Sequence, residues 1–174
     1  YVSLEKLPLH LCGLSRPVHF RGVTTIVTKL FNMVKPHTAV FGQKDYQQLA
    51  IIRKMLQDLN SDIQILGVPI VREKDNLAMS SRNFYLSGEE RKSALCLYKS
   101  IRLIEKLKGA GEINPSVLKQ SAEDLIHSYR FTEIDYLSIC HPDTLEELDV
   151  ITGNFLFALA VKVGKTRLID NAIL

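Results

Sequence analysis

The chain has 174 residues, 46% hydrophobic and 24% charged, with a formal net charge of +3. This is the balance of an ordinary soluble globular protein, long enough for one domain or two small ones. The charge is too small to point to duplex nucleic acid, no secretory apolar stretch opens the chain, and the longest wholly apolar run, Phe155 to Val161, is far too short to span a bilayer.

In chain order, Val23, Ile26, Val27, Leu30, Phe31 and Val34 recur at helical spacing, which predicts a helix over about 21–34 ending before Pro36. Thr38–Phe41 is short and apolar, the pattern of a buried strand, and Gly42 breaks it. Asp45 is placed to cap the next helix, with Ile51, Ile52, Met55, Leu56 and Leu59 on its inner face. Ile63–Val68 reads as a second strand. Strand, helix and strand in this order make a βαβ unit, which implies a parallel pair with a right-handed crossover.

Residues 72–85 are polar and irregular. Ser87-Gly-Glu-Glu90 has the spacing of a capping box and opens a long helix to about Lys108, which Gly109-Ala-Gly111 ends. Asn114-Pro115 starts another, with proline at its first position, running to about Arg130. Ile134–Cys140, Phe155–Val163 and Thr166–Asp170 read as strands in an antiparallel arrangement. Periodicity changes near residue 86, so the expected domains are 1–86 and 87–174. The fold class expected is α/β: part of a parallel sheet, followed by a small α+β domain.

Charge is uneven along the chain. Residues 1–86 hold 11 Lys/Arg against 6 Asp/Glu, and residues 87–174 hold 11 against 13. The front part is therefore suited to a small polyanion, although ordinary surface charge explains the count equally well. Cys12, Cys96 and Cys140 lie far apart, without zinc-type spacing, which favours reduced thiols in a cytosolic protein. His10, His37, His127 and His141 stand alone, and no Ser/His/Asp or Cys/His set follows from spacing.

Two segments carry chemistry. Gly42-Gln43-Lys44-Asp45 lies where a strand gives way to a helix, the usual ligand crevice of an open α/β sheet. Backbone N–H groups and the helix dipole attract anions there, Gly42 lets a ligand approach the backbone, and Lys44 brings a compact cation. The plain alternative makes Gly42 a turn residue, Lys44 a solvated side chain and Asp45 a cap. Gln48 stands at capping-box spacing from Asp45, so its amide can serve either the helix start or a ligand. The second segment, Met79-Ser80-Ser81-Arg82, offers hydroxyls and a guanidinium suited to phosphate oxygens, or else is a polar linker. Arg16, His19 and Arg21 stand before the first helix and suit a phosphate contact or the fixing of the loop, with an ordinary helix lead-in the stronger local reading for His19 and Arg21. Arg72 and Lys74 read as a solvated basic strand end that could also face an anion.

The ordered motifs Ser15-Arg16-Pro17, His19-Phe20-Arg21-Gly22-Val23, Phe41-Gly42-x-Lys44-Asp45-Tyr46-Gln47-Gln48, Gly67-Val68-Pro69, Met79-Ser80-Ser81-Arg82-Asn83 and Arg167-Leu168-Ile169-Asp170-Asn171 resemble the pantothenate synthetase (pantoate–β-alanine ligase) family from about Ser15 onward. The resemblance implies a Rossmann-like front domain, a smaller C-terminal lid domain, and a cytoplasmic homodimer. It implies a ligase that joins pantoate to β-alanine through pantoyl adenylate, using ATP with Mg²⁺ and releasing AMP and pyrophosphate. Carried over by position, Gly42, Gln43, Lys44, Asp45, Val71, Met79, Ser80, Ser81 and Arg82 bind ATP, with Val71 a backbone contact on the adenine side. Gln48 binds pantoate. Lys44, Ser80, Ser81 and Arg82 are the catalytic expectation, surrounding the phosphates as charge moves onto pyrophosphate. No general base and no protein ligand to a metal is assigned, and no nucleic acid or membrane partner is expected.

Two departures from the family stand out. Val18 occupies a position where glycine is usual, and Gln43 one where glutamate is usual. The chain starts at Tyr1 and has no His-x-Gly-His motif. The expectation is therefore a C-terminal piece that does not turn over unaided, whose front sheet leaves an edge open to pairing. The other readings are a related nucleotidylyltransferase, an aminoacyl-tRNA synthetase fragment, or a non-catalytic dimerising module.

Overall fold

A computed structural model describes all residues, 1–174. By its internal contacts the chain forms two units: Tyr1–Pro69 with Asp143–Leu145, and Ile70–Pro142 with Glu146–Leu174. The reading from sequence placed the change near residue 86. Residues 70–86 group instead with the second unit, where the ion pairs of Arg72 with Asp170 and of Arg91 with Glu73 and Asp75 tie them down.

The first unit is built on helix α1 (His19–Val34), strand β1 (Thr38–Gly42), helix α2 (Tyr46–Asp58) and strand β2 (Gln64–Val68). The expected βαβ order is present, and β1 pairs with β2 in parallel, from Thr38 opposite Gln64 to Gly42 opposite Val68. Helix α1 ends at Lys35, whose left-handed backbone lets its N–H donate to the Phe31 carbonyl at 2.7 Å, just before Pro36. Ile52, Met55 and Leu56 of α2 form the core with Val23, Val27, Phe31, Phe41, Ile63 and Ile65. Both strands alternate: Ala39, Phe41, Ile65 and Gly67 are partly covered, while Val40, Leu66 and Val68 are exposed on the other face. At Gly67 a Cβ would come within 2.9 Å of the Leu49 and Arg53 side-chain ends, which would have to shift to admit it.

The second unit starts with an irregular loop and continues with helices α3 (Gly88–Ala94), α4 (Cys96–Gly109) and α5 (Pro115–His127). Strands β3 (Thr132–Cys140), β4 (Leu156–Val163) and β5 (Thr166–Ile173) follow, in an antiparallel sheet of that order. The capping box forms as predicted, Ser87 Oγ accepting from Glu90 N and Glu90 accepting from Ser87 N. The single long helix expected after it is two helices that meet at Leu95. Leu95, at φ −64 and ψ −13, is the residue between them, and Ala94, Cys96 and Leu97 around it are buried. Helix α5 stops at His127 rather than Arg130, because Thr132 Oγ1 donates back to the Ile126 and Tyr129 carbonyls and closes the turn into β3. Strand β5 runs past Asp170 to Ile173. Leu97, Ile101, Ile104, Leu118, Ala122 and Ile126 of the helices pack with Phe155, Phe157, Leu159 and Val161. No helix is long and apolar enough to cross a membrane.

Gly164, in the turn from β4 to β5, has φ +57, and a Cβ there would lie 1.9 Å from the Glu90 carboxylate. That carboxylate cannot yield without leaving the capping box. Gly164→Ala should therefore cost about 1–3 kcal/mol in chemical denaturation. The loss should shrink when Glu90→Ala has already removed the carboxylate; full additivity would show that the turn and the box are independent.

Candidate functional site

Strand β1 delivers Gly42 to the C-terminal edge of the parallel pair, opposite Val68. Gln43–Asp45 then makes one 3₁₀ turn before α2 begins at Tyr46. Asp45 does not cap α2: its side chain accepts no capping hydrogen bond, because the 3₁₀ turn carries it out of cap geometry, at φ −90 and ψ 58. The capping box expected between Asp45 and Gln48 is therefore absent, and Gln48 is partly exposed on the first turn of α2.

Gly42 is informative for what does not require it. Its φ is −73, open to any residue, and a Cβ built there meets nothing within 4 Å. Neither backbone conformation nor packing within the chain calls for glycine at this corner.

The neighbouring Gln47 was missed by the sequence reading. It is buried, its amide nitrogen donates to the carbonyls of Leu7 at 2.9 Å and His10 at 2.7 Å, and its oxygen accepts from Cys12 N at 3.1 Å. Gln47 thus ties the segment 7–12 to the helix that follows Lys44. Gln47 and Gln48 both stand four residues before a buried isoleucine, Ile51 and Ile52, so spacing alone did not single out Gln47. Arg16, His19 and Arg21 are exposed, with His19 against the Phe20 ring and Arg21 over the Tyr1 ring, which accords with a helix lead-in.

In the second unit, Val71, Met79, Ser80, Ser81 and Arg82 share one loop. Met79 N donates to the Val71 carbonyl at 2.9 Å and Glu73 N to the Leu77 carbonyl at 2.8 Å, with Arg72 and Ala78 bridged antiparallel. Ser80 Oγ accepts from Arg82 N at 3.2 Å and starts the 3₁₀ turn Ser81–Tyr85. The side chains of Val71, Met79, Ser81 and Arg82 are exposed. Beneath them Asn83 is buried, its amide donating to Glu73 and to the Ala78 carbonyl. Arg91 holds Glu73 at 2.7 Å and Asp75 at 2.8 Å. Arg72 is not the solvated strand end expected from sequence. Its guanidinium meets the buried Asp170 at 2.7 and 3.0 Å, whereas Lys74 is exposed.

The structure thus gathers Gly42–Asp45 on one corner of the first unit and Val71 with Met79–Arg82 on one loop of the second. Burial pushes the Cys96 thiol up to about 12 and the Cys140 thiol up to about 11, so neither is a thiolate nucleophile at neutral pH.

The family model described as Pantoate-beta-alanine ligase matches residues 1–173. The chain belongs to the pantoate-beta-alanine ligase family. It is 56% identical over 174 residues to a pantothenate synthetase of Desulfatibacillum aliphaticivorans, covering 100% of this chain and 62% of that protein. A pantothenate synthetase of Acetivibrio thermocellus is 56% identical over 173 residues, with 99% and 62% covered. The crystal structure of pantothenate synthetase from Thermus thermophilus superposes with a TM-score of 0.93 at 40% identity, covering 98% of this chain and 62% of that one. A pantoate-beta-alanine ligase from Francisella tularensis, complexed with beta-gamma ATP and beta-alanine, gives 0.70 at 28% identity, with 99% and 57% covered. The chain therefore spans 62% of the length of these two curated relatives. Its mixed α/β architecture, with a parallel pair and a separate antiparallel sheet, is that of the ligase family.

Hydrogen bonds from Asn83, then from Arg91, hold the Glu73 carboxyl below its ordinary value. A lowered carboxylate pKa stabilises the fold above the unfolded-state value and loses that contribution as pH falls through the folded one. The loop 72–83 should thus become more sensitive to a protease active in acid below about pH 4, and Glu73→Gln should remove that pH dependence. Cleavage rates with the same pH dependence in both proteins would contradict it.

Proposed function

We propose that this chain is the part of an ATP-dependent pantoate–β-alanine ligase that carries two ATP-binding segments, Gly42–Asp45 and Met79–Arg82. The carrying observation is Gly42, a glycine that nothing in the chain requires, at the crevice edge of a parallel sheet. Space that a Cβ would enter is space for a phosphate to approach the backbone. Family membership across residues 1–173 supports this reading over a tRNA synthetase fragment, another nucleotidylyltransferase or a dimerising module. The description of the Francisella relative with an ATP compound and β-alanine supports the substrates.

In the proposed reaction a pantoate carboxylate oxygen attacks the α-phosphorus of ATP. A P–O bond forms, the bond to the β-phosphate bridge breaks, and pyrophosphate leaves with the electron pair. The β-alanine amine then attacks the acyl carbon, the C–O bond to AMP breaks, and the amide forms as the nitrogen loses its proton. Lys44, Ser80, Ser81 and Arg82 stabilise charge growing on pyrophosphate, Val71 and Met79 border the adenine, and Gln48 orients pantoate. The adenylation step needs no general base, because the attacking carboxylate is already ionised, and the proton lost by the amine in the second step passes to solvent. No group of three or more His, Cys, Asp or Glu able to hold a metal is present. Mg²⁺ would come with the nucleotide phosphates. A cytoplasmic homodimer, and no turnover by this chain alone, are parts of the same proposal.

Pantoate-dependent ATP–pyrophosphate exchange in a whole-length enzyme carrying these residues tests it. Gly42→Ala should leave stability unchanged or raise it by about 0.4–1 kcal/mol, yet raise KM for ATP by roughly tenfold or more. Lys44→Ala should lower kcat about 100-fold. Normal ATP kinetics in the alanine variant at 42, or a rise in KM alone from loss of the lysine, would refute the assignment. Release of AMP by the 174-residue chain at the rate of the whole enzyme would refute its dependence on the rest.

A further inference from the structure

Arg72 uses its guanidinium in three directions at once. Nη1 and Nη2 meet the two oxygens of Asp170 at 2.7 and 3.0 Å. Nη1 also donates to the Asn76 carbonyl at 3.1 Å, and the plane lies over the Tyr98 ring at 4.8 Å. The Asp170 side chain is 1% exposed and accepts a third bond, from Asn171 N at 2.9 Å. Asp170 stands opposite Leu159 in the middle of the β4–β5 ladder. The pair therefore joins the rigid sheet to the loop.

Buried ion pairs are poor sources of net stability, since an apolar pair of similar volume commonly does as well. What a forked, planar cation gives that an apolar side chain cannot is direction. Here the direction is passed on through the backbone. Arg72 adjoins Val71, whose carbonyl receives Met79 N, and Ser80 follows at once. The second brace, Arg91 on Glu73 and Asp75 with Asn83 on Glu73, grips the far side of the loop.

We propose that Arg72 and Asp170 are positioning residues. Locked together and stacked on Tyr98, they hold the loop from Val71 to Ser80 so that Val71, Met79 and the Ser80–Arg82 hydroxyls and guanidinium are presented to the nucleotide before it arrives. They touch no substrate. This rests on the ATP reading above for its consequence, and on the loop geometry alone for its mechanism.

The test replaces the charged pair by an apolar one, Arg72→Met with Asp170→Leu, in the whole-length enzyme. Thermal unfolding, amide exchange at Met79 and Glu73, and pantoate-dependent pyrophosphate exchange are then measured together. The double variant should melt within a few degrees of wild type, yet exchange its Met79 amide at least tenfold faster and lose at least tenfold in kcat. Wild-type protection and wild-type turnover in the folded double variant would overturn the proposal. Should the double variant not fold, Arg72→Lys keeps the charge without the fork. The same faster Met79 exchange and lowered kcat, at unchanged melting temperature, are expected of it, and wild-type values for both would overturn the proposal. A wild-type enzyme without pantoate-dependent exchange would instead sink the ligase reading, while Met79 protection would still decide whether the pair positions the loop.

Discussion

A surface can hold a highly charged flexible ligand only if its donors are already fixed, because ordering them on binding would consume the interaction energy. In this chain the fixing is done by buried polar side chains that sit beside the exposed ones. Gln47 is buried just beyond Lys44 and satisfies two carbonyls and one N–H of the preceding segment. Asn83 and Arg72 are turned inward beneath Ser81, Arg82, Val71 and Met79. The groups proposed to meet ATP are thus the outer members of polar networks whose inner members bind only protein. Such networks fix geometry through the bonds they make, and of Asn83 only the amide nitrogen is engaged, Oδ1 being buried without a partner.

This division explains what could be read from the sequence. Helix α1, the βαβ order and the antiparallel strands follow from apolar spacing, which reports local geometry directly. The Ser87–Glu90 capping box was readable because its partners are three residues apart. The exposed candidates were readable too, since glycine, lysine, serine and arginine at a strand–helix corner and in a polar loop suggest phosphate chemistry by themselves. The order of several motifs then brought the family into view.

What escaped were the inner members and the finer turns. Arg72 and Asp170 are 98 positions apart, so Arg72 looked like a solvated basic residue. Gln47 and Gln48 are adjacent, and only the course of α2 decides which one faces inward. Asp45 has the identity of a cap but sits on a 3₁₀ turn that cap statistics do not foresee. The break at Leu95 has no breaker residue to announce it, since good helix formers stand on both sides. The open face of the parallel pair, with Val40, Leu66 and Val68 exposed, is unusual for parallel strands, which are normally covered on both sides.

The central claim is that the strand–helix corner and the serine–arginine loop each bind ATP through donors fixed in advance. Amide exchange mass spectrometry on a whole-length enzyme, titrated with ATP, measures this directly. Peptides carrying Gly42–Asp45 and peptides carrying Met79–Arg82 should each gain protection as ATP is added. Unchanged exchange in either segment at saturating ATP would contradict the account.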